Sequence, residues 1–297
     1  MKSFSKILFL SIFLLFASQC LAADDSTLVK KVEYAVANAT VVPVREKPSE
    51  GAEQATQLLF GEVCEVIDRL PSWTKIRNLL DKQEGWVSHR MLTLTETTDL
   101  LSDAPTAVVV TPMAAATPID SGAHLLLTLG TRLPNYAQGT FEVLGQQYLI
   151  DSSCVSQPIS HSDASNHDRV TIIAKSLLNT PYLWGGKNLM GLDCSGFTQV
   201  VYAAMGVNLL RNAREQITQG EVVPSLSEAM PGDLAFFDHS DRDPKATKIS
   251  HVGLLLSPTE IIHCAGGRVH IDRIDANGIY LPDGTMTHHL VQIKRYF

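Results

Sequence analysis

The pattern of apolar and polar positions changes character three times along the chain. Residues 1–22 carry Lys2 and Lys6, then the apolar run ILFLSIFLLFA, then CLA before Ala23. A basic start, a short apolar core and small residues at a cleavage position predict a secretory signal peptide. The run is too short for a stable membrane span. Residues 28–100 then read as short strands. EYAVANATVVPVRE, TQLLFGEVCEVID, SWTKIRNL and EGWVSHRML are β-rich and separated by turn formers. Closely spaced short strands predict a small barrel. LLLTLGTRLPNY echoes QLLFGEVCEVIDRLPSW, which predicts a second barrel over 101–158.

A polar stretch, 156–168, precedes a region of helical period. DRVTIIAKSLLNT sets Val170, Ile173, Ala174, Leu177 and Leu178 on one helical face, with Asp168 as expected N-cap and Pro181 as stop. GLDCSGFTQVVYAAMG predicts a helix headed by Cys194, with Val200, Val201, Ala204 and Met205 apolar and Gly206 at its end. NAREQITQG holds Asn212 and Glu215 at capping-box spacing. From MPGDLAFF onward the pattern turns to strands: LAFF, SHVGLLL, EIIHCA, RVHIDRI and HLVQIKRYF. Helices followed by an antiparallel sheet predict an α+β domain over 165–297.

Composition narrows the partners. Of 297 residues, 45% are hydrophobic and 19% charged, as in an ordered globular chain. Loss of Lys2 and Lys6 with the leader takes the formal charge from −7 to −9. Nucleic acid is not an expected partner, because phosphate binding needs clustered Lys and Arg. Four cysteines follow the leader: Cys64, Cys154, Cys194 and Cys264. Four over this length are no disulfide scaffold, and their pairing is left open. Cys20 follows Gln19, where a lipid attachment site wants a small residue, so lipid anchoring ranks behind simple export to the periplasm or the exterior. A monomer is expected.

One thiol has a chemical address. Cys194 stands between Asp193 and Ser195-Gly196, where a helix begins. A helix N-terminus offers partial positive charge and unpaired N–H donors, which favour a thiolate and a developing oxyanion. The base should be a histidine on a rigid element. His251 opens SHVGLLL and His263 ends EIIH, and a turn near Ser257-Pro258 would set both on neighbouring strands near one end. His251 is then the expected base and His263 its orienting partner. Cys264 faces the opposite side of its strand and reads as core. A zinc site from Cys194, His251, His263 and Cys264 is disfavoured for the same reason, and WGGKN lacks the spacing of a phosphate loop. No metal or other cofactor is expected. His288-His289 and the mixed-charge stretch 238–248 read as surface.

TPYLWGGKNLMGLDCSGFTQVVY, MPGDLAFF, ISHVGLLL and IIHCAGG resemble, in order and spacing, the NlpC-type cell-wall cysteine peptidases, a papain-like α+β fold. The resemblance implies Cys194 as nucleophile, His251 as base and His263 as third residue. With two SH3-like barrels ahead of this core, the chain is similar to the γ-D-glutamyl-L-diamino-acid endopeptidases, the dipeptidyl-peptidase VI group. That implies hydrolysis of the γ-D-Glu–diamino acid bond in peptidoglycan stem peptides with a free N-terminal L-Ala. A broader D,L-endopeptidase or amidase, or a wall-binding protein without activity, are the alternatives. For such a substrate Asp193 is expected to pair with the ammonium, Tyr182 to donate a hydrogen bond, Trp184 to wall the alanine methyl and Ser195 to bind the D-Glu carboxylate. Glu46, Gln83 and Glu84 are expected to close the cleft from the first barrel. LLRNAREQ departs from the family's Pro-Arg-Asp-Ser-like stretch, with Leu210, Asn212 and Ala213 in place of Pro, Asp and Ser; Arg211 is kept as a substrate-side residue.

Overall fold

The computed structural model describes residues 32–96, 107–156, 166–238 and 248–297. The expected signal peptide, Cys20 within it, and residues 239–247 of the mixed-charge stretch lie outside these. Among the described residues no helix is long and apolar enough to cross a membrane.

The first module consists of β1 (Tyr34–Ala37), β2 (Val41–Arg45), β3 (Gln54–Leu59), β4 (Val63–Arg69), β5 (Trp73–Asn78), β6 (Glu84–Ser88) and β7 (Leu92–Thr95). They form one antiparallel sheet in the order β3-β2-β6-β5-β4-β1-β7. Alternation explains the strands: in β5, Thr74, Ile76 and Asn78 are buried while Trp73, Lys75 and Arg77 are not. Val42, Val44, Leu58, Ile76 and Val87 fill its core. The second module holds β8 (Ala107–Val109), β9 (Met113–Pro118), β10 (Leu125–Thr128), β11 (Arg132–Leu133), β12 (Thr140–Val143), β13 (Gln146–Ile150) and β14 (Val155–Ser156), in sheets of four and three strands. Phe60 and Val63 of the first module share a core with Leu127, Leu133 and Phe141 of the second.

The last region begins with α1 (Asn166–Lys175), three residues earlier than an N-cap at Asp168 would allow; Asp168 sits in its first turn. A short hairpin, β15 (Lys187–Asn188) and β16 (Gly191–Leu192), leads into α2 (Cys194–Ala204) and α3 (Ala213–Gln216). Seven strands follow: β17 (Glu221–Val223), β18 (Leu234–Asp238), β19 (Ile249–Ser257), β20 (Glu260–Ala265), β21 (Arg268–Ile274), β22 (Gly278–Tyr280) and β23 (Met286–Arg295). β23 pairs with both β18 and β22, so the last six strands close on themselves, with β17 added outside. α2 is buried nearly all round. A helix apolar on every side must be covered on every side, and Phe197, Val200, Val201 and Ala204 pack with Val252, Leu254 and Ile262 of the sheet and Leu129 of the second module. Gly206 ends this helical stretch at φ +81°. Cys64, Cys154, Cys194 and Cys264 are free thiols.

Candidate active site

The address of Cys194 is built by its predecessor. Asp193 is the N-cap of α2, its Oδ1 accepting the Gly196 N–H at 2.6 Å. Its Oδ2 accepts the Gly185 N–H at 2.9 Å. Arg211 completes the arrangement from behind. Nη1 reaches Oδ1 at 3.0 Å and Nη2 reaches Oδ2 at 2.5 Å, a paired fork. The same Nη1 donates to Ser195 Oγ at 2.9 Å, and Nε donates to Thr56 Oγ1 of the first module at 2.7 Å.

These contacts set the thiol's state. Burial is the main influence on Cys194, then the Asp193 carboxylate, and together they push the thiol up to about 12. Arg211 and the N–H groups of Val252 and Ser195 oppose them. The sequence reading expects a thiolate at the helix tip; burial and Asp193 together outweigh Arg211 and these N–H groups and favour the thiol. Tyr182 is likewise pushed up to about 12, first by burial and then by Cys194 and Asp193, so its hydroxyl stays a donor.

His251 stands on β19 and His263 on β20. His251 Nε2 lies 2.8 Å from His263 Nδ1. The approach depends on Gly253: a Cβ there would stand 2.9 Å from His263 Cβ and 2.7 Å from Ile261 Cδ1. His263 Nε2 in turn faces Asp272 Oδ2 at 3.1 Å, and His270 Nε2 reaches the same oxygen at 3.1 Å. Burial lowers the His263 pKa although Asp272 pulls it up, which favours the neutral ring. Burial also raises the Asp272 carboxyl, but His263 and His270 outweigh it and hold it below the usual carboxylate value. His288, expected at the surface, is 7% exposed and its ring lies tilted against that of His251, centroids 4.3 Å apart. Its place on β23, which closes the sheet beside β18, carries it inward.

Cys194 and His251 line one cleft of about 600 Å³. Tyr182, Trp184, Asp193, Ser195 and His288 share its wall, with Arg214 and Lys248 as its cations. Ala55 of β3 reaches it from the first module.

Residues 179–280 match the NlpC/P60 family and residues 40–93 the bacterial SH3 domain. This chain carries an NlpC/P60 domain. It is 27% identical over 239 residues to the gamma-D-glutamyl-L-lysine dipeptidyl-peptidase of Bacillus cereus, covering 75% of this chain and 70% of that one. Identity to the Bacillus subtilis protein of the same name is 29% over 220 residues, covering 70% and 71%. A solved NlpC/P60 family protein from Bacillus cereus superposes with a TM-score of 0.73 at 22% identity, covering 89% of this chain and 99% of that one, which is a likeness of fold.

The residues singled out from sequence fall in three groups around the NlpC/P60 cleft. Cys194, His251, Tyr182 and Trp184 line it, Trp184 being 60% exposed, and His263 backs His251. Asp193 and Ser195 also border it, and both Asp193 oxygens are engaged by Arg211, Gly185 and Gly196, so an ammonium there would have to share them. Arg211, 1% exposed, is no wall residue; it braces Asp193 and Ser195 from below. Of the three expected closing residues, Glu84 pairs with Arg77 and Lys75 away from the cleft, and Glu46 is exposed outside it. Gln83 accepts from Asn212 at 3.2 Å, at the seam between module and NlpC/P60 domain. Asp272 was missed. The alternation of RVHIDRI puts it on the face of His270, which pairs opposite His263, and that was the available signal.

Proposed function

We propose that this chain is a cysteine peptidase that hydrolyses the γ-D-Glu–diamino acid bond of peptidoglycan stem peptides bearing a free N-terminal L-Ala. NlpC/P60 membership supports a peptidase of the bacterial wall, and the two relatives named as gamma-D-glutamyl-L-lysine dipeptidyl-peptidases support the bond. The observation that carries the reading is Cys194 at the head of α2 in one cleft with His251, whose Nε2 is engaged by His263.

The proton arrangement follows from the partners. Asp272 is an acceptor, so neutral His263 carries its proton on Nε2. His263 Nδ1 then accepts from His251 Nε2–H, and His251 Nδ1 keeps a lone pair for the thiol proton. With the resting thiol held protonated, that transfer accompanies attack of sulfur on the γ-carbonyl carbon. The Cys194 N–H and the Tyr182 hydroxyl are the donors for the oxyanion. Collapse of the tetrahedral intermediate breaks the C–N bond, and the imidazolium returns its proton to the leaving amine. Water, deprotonated by His251, then cleaves the thioester and restores the thiol. No step draws on a metal or organic cofactor.

The test is turnover of L-Ala-γ-D-Glu-diaminopimelate or its lysine analogue, free and N-acetylated, with release of L-Ala-γ-D-Glu followed by chromatography. The free peptide should be cut and the blocked one spared, and Cys194→Ala should abolish release. Activity surviving in Cys194→Ala would remove the nucleophile. Arg211 supports a second reading: with Asp193 engaged by its fork, a free ammonium would have to share its expected partner. Equal turnover of free and blocked peptides would then identify a broader D,L-endopeptidase. Export through residues 1–22 would bring the enzyme to its substrate, and fractionation of cells with and without that segment checks this.

A further inference from the structure

On the side of His263 away from the cysteine, three donor atoms converge. Asp272 Oδ2 lies 3.1 Å from His263 Nε2 and 3.1 Å from His270 Nε2, and one donor atom of each residue falls within 4.8 Å of the others. Ligands held tetrahedrally at about 2.0–2.1 Å from one zinc ion stand about 3.3 Å apart, so these separations need little adjustment. The three side chains project from paired strands, with His263 directly opposite His270 in the ladder and Asp272 two residues beyond on the same face. Such a frame holds donors in place without a loop having to close. Their exposure is graded, at 1% for the His263 side chain, 9% for Asp272 and 24% for His270, so solvent reaches the cluster past His270. Two imidazoles and a carboxylate form a donor set for zinc and its neighbours rather than for calcium or magnesium. Cys264 is no part of it, since its thiol donates to Leu192 O in the core.

We propose that His263, His270 and Asp272 form a binding site for a divalent cation of the zinc class, and that filling it switches off the cleavage chemistry. The second half rests on the proposed peptidase function; the first does not. A cation on His263 Nε2 takes the position of the proton that faces Asp272. The remaining proton of that ring must sit on Nδ1, from which it donates to His251 Nε2 across the 2.8 Å contact. His251 then carries its own proton on Nδ1, the nitrogen needed to accept the thiol proton. The base is lost by reversal of one tautomer after another, while the cleft itself stays open to substrate.

The experiment begins with the full chain carrying Cys194→Ala, so that zinc cannot bind the catalytic sulfur. Titration with Zn²⁺ against a chromophoric chelator should show one equivalent bound. Adding His270→Gln or Asp272→Asn should weaken it by about tenfold or more, and two independent variants keep the test open if one folds poorly. Co²⁺ in place of zinc should give a d–d spectrum without a thiolate charge-transfer band. In the protein with Cys194 intact, Zn²⁺ should slow peptide release and a chelator restore it, with the inhibitory concentration raised by about tenfold or more in His270→Gln. That readout is the ratio with and without metal in each protein, so a change in basal rate does not enter. Absence of uptake by Cys194→Ala, or equal uptake with and without His270, would overturn the site. Stoichiometric uptake in a chain that cleaves no stem peptide would leave the site standing and reject the peptidase reading instead.

Discussion

The first β-module meets the NlpC/P60 domain through buried polar groups, whereas the second meets it mainly through close-packed apolar atoms, with Arg169 donating to Ser156 and Arg132 to Asn208 at the margin. On the first side Glu62 holds Lys187 at 2.7 Å and Asn78 at 2.8 Å. Gln57 Oε1 accepts from the Lys187 N–H and from Asn188 Nδ2, each at 2.8 Å, and Gln199 donates to Asp81 at 3.0 Å. On the second side Gly130 lies against α2: a Cβ there would stand 3.0 Å from Ala203 Cβ and 3.1 Å from Val200 O. Leu129 joins the core around that helix. A polar seam has one correct register, because each unpaired buried group is costly. An apolar seam mainly excludes water. The polar seam is also the one that reaches the residue before Cys194, through Thr56, Arg211 and Asp193.

Breaking that link should show the contrast most strongly. Arg211→Ala leaves Asp193 buried without its partner and should cost about 3–5 kcal/mol of stability, with peptide release falling in parallel. Arg211→Lys should rescue little, because an ammonium cannot reproduce the fork. Denaturant unfolding and turnover of the two variants check both; a stable, active Arg211→Ala would mean that Asp193 finds water instead. Next in size, Glu62→Ala strands Lys187 and should cost about 3 kcal/mol. Replacing both partners with apolar residues, Glu62→Leu with Lys187→Met, should recover most of it. If the double variant is no better than the single one, the seam is not governed by charge pairing.

Gly130→Val tests the other seam. The added side chain strikes α2 from a backbone at φ +82° and should cost about 1–3 kcal/mol. Turnover per folded molecule should change little, since no group bonded to Asp193 moves; a large loss would show that α2 transmits strain to its first residue. The smallest effect concerns pH. Burial raises the Glu62 carboxyl above its ordinary value, against the pull of Lys187. A carboxyl with a raised folded pKa holds its proton more tightly in the folded chain. Its contribution to stability is full below the unfolded pKa and is lost as pH rises through the folded one. Unfolding midpoints should decline across that window, and Glu62→Gln should remove the slope.

The same contrast explains what could be read in advance. Elements driven by local pattern, such as α2 with its N-cap and the alternating strands of the sheet, follow from spacing within a few residues. Cys194 and the two histidines stand on such elements, so their addresses were visible in the chain. Arg211 and Asp193 meet from 18 residues apart, and Arg211 and Thr56 from 155. Contacts of that range depend on how modules dock, which no local period encodes. Glu46 and Glu84 were misplaced for this reason: a strand pattern tells which face is buried, but not which edge of a barrel looks toward a neighbour. Asp272 needed only the register of β20 against β21, which the turn between Ala265 and Arg268 sets.

The strand β3 lends itself to two uses at once. Gln54 donates to the Trp184 carbonyl and Thr56 accepts from Arg211, so both are spent on attachment. Ala55, between them, contributes a bare methyl to the cleft wall, alone among the described residues of its module. The breadth of the groove at that end is therefore governed by a position outside the catalytic domain, and a bulkier side chain there would trim the range of acceptable ligands while leaving sulfur, imidazoles and attachment untouched.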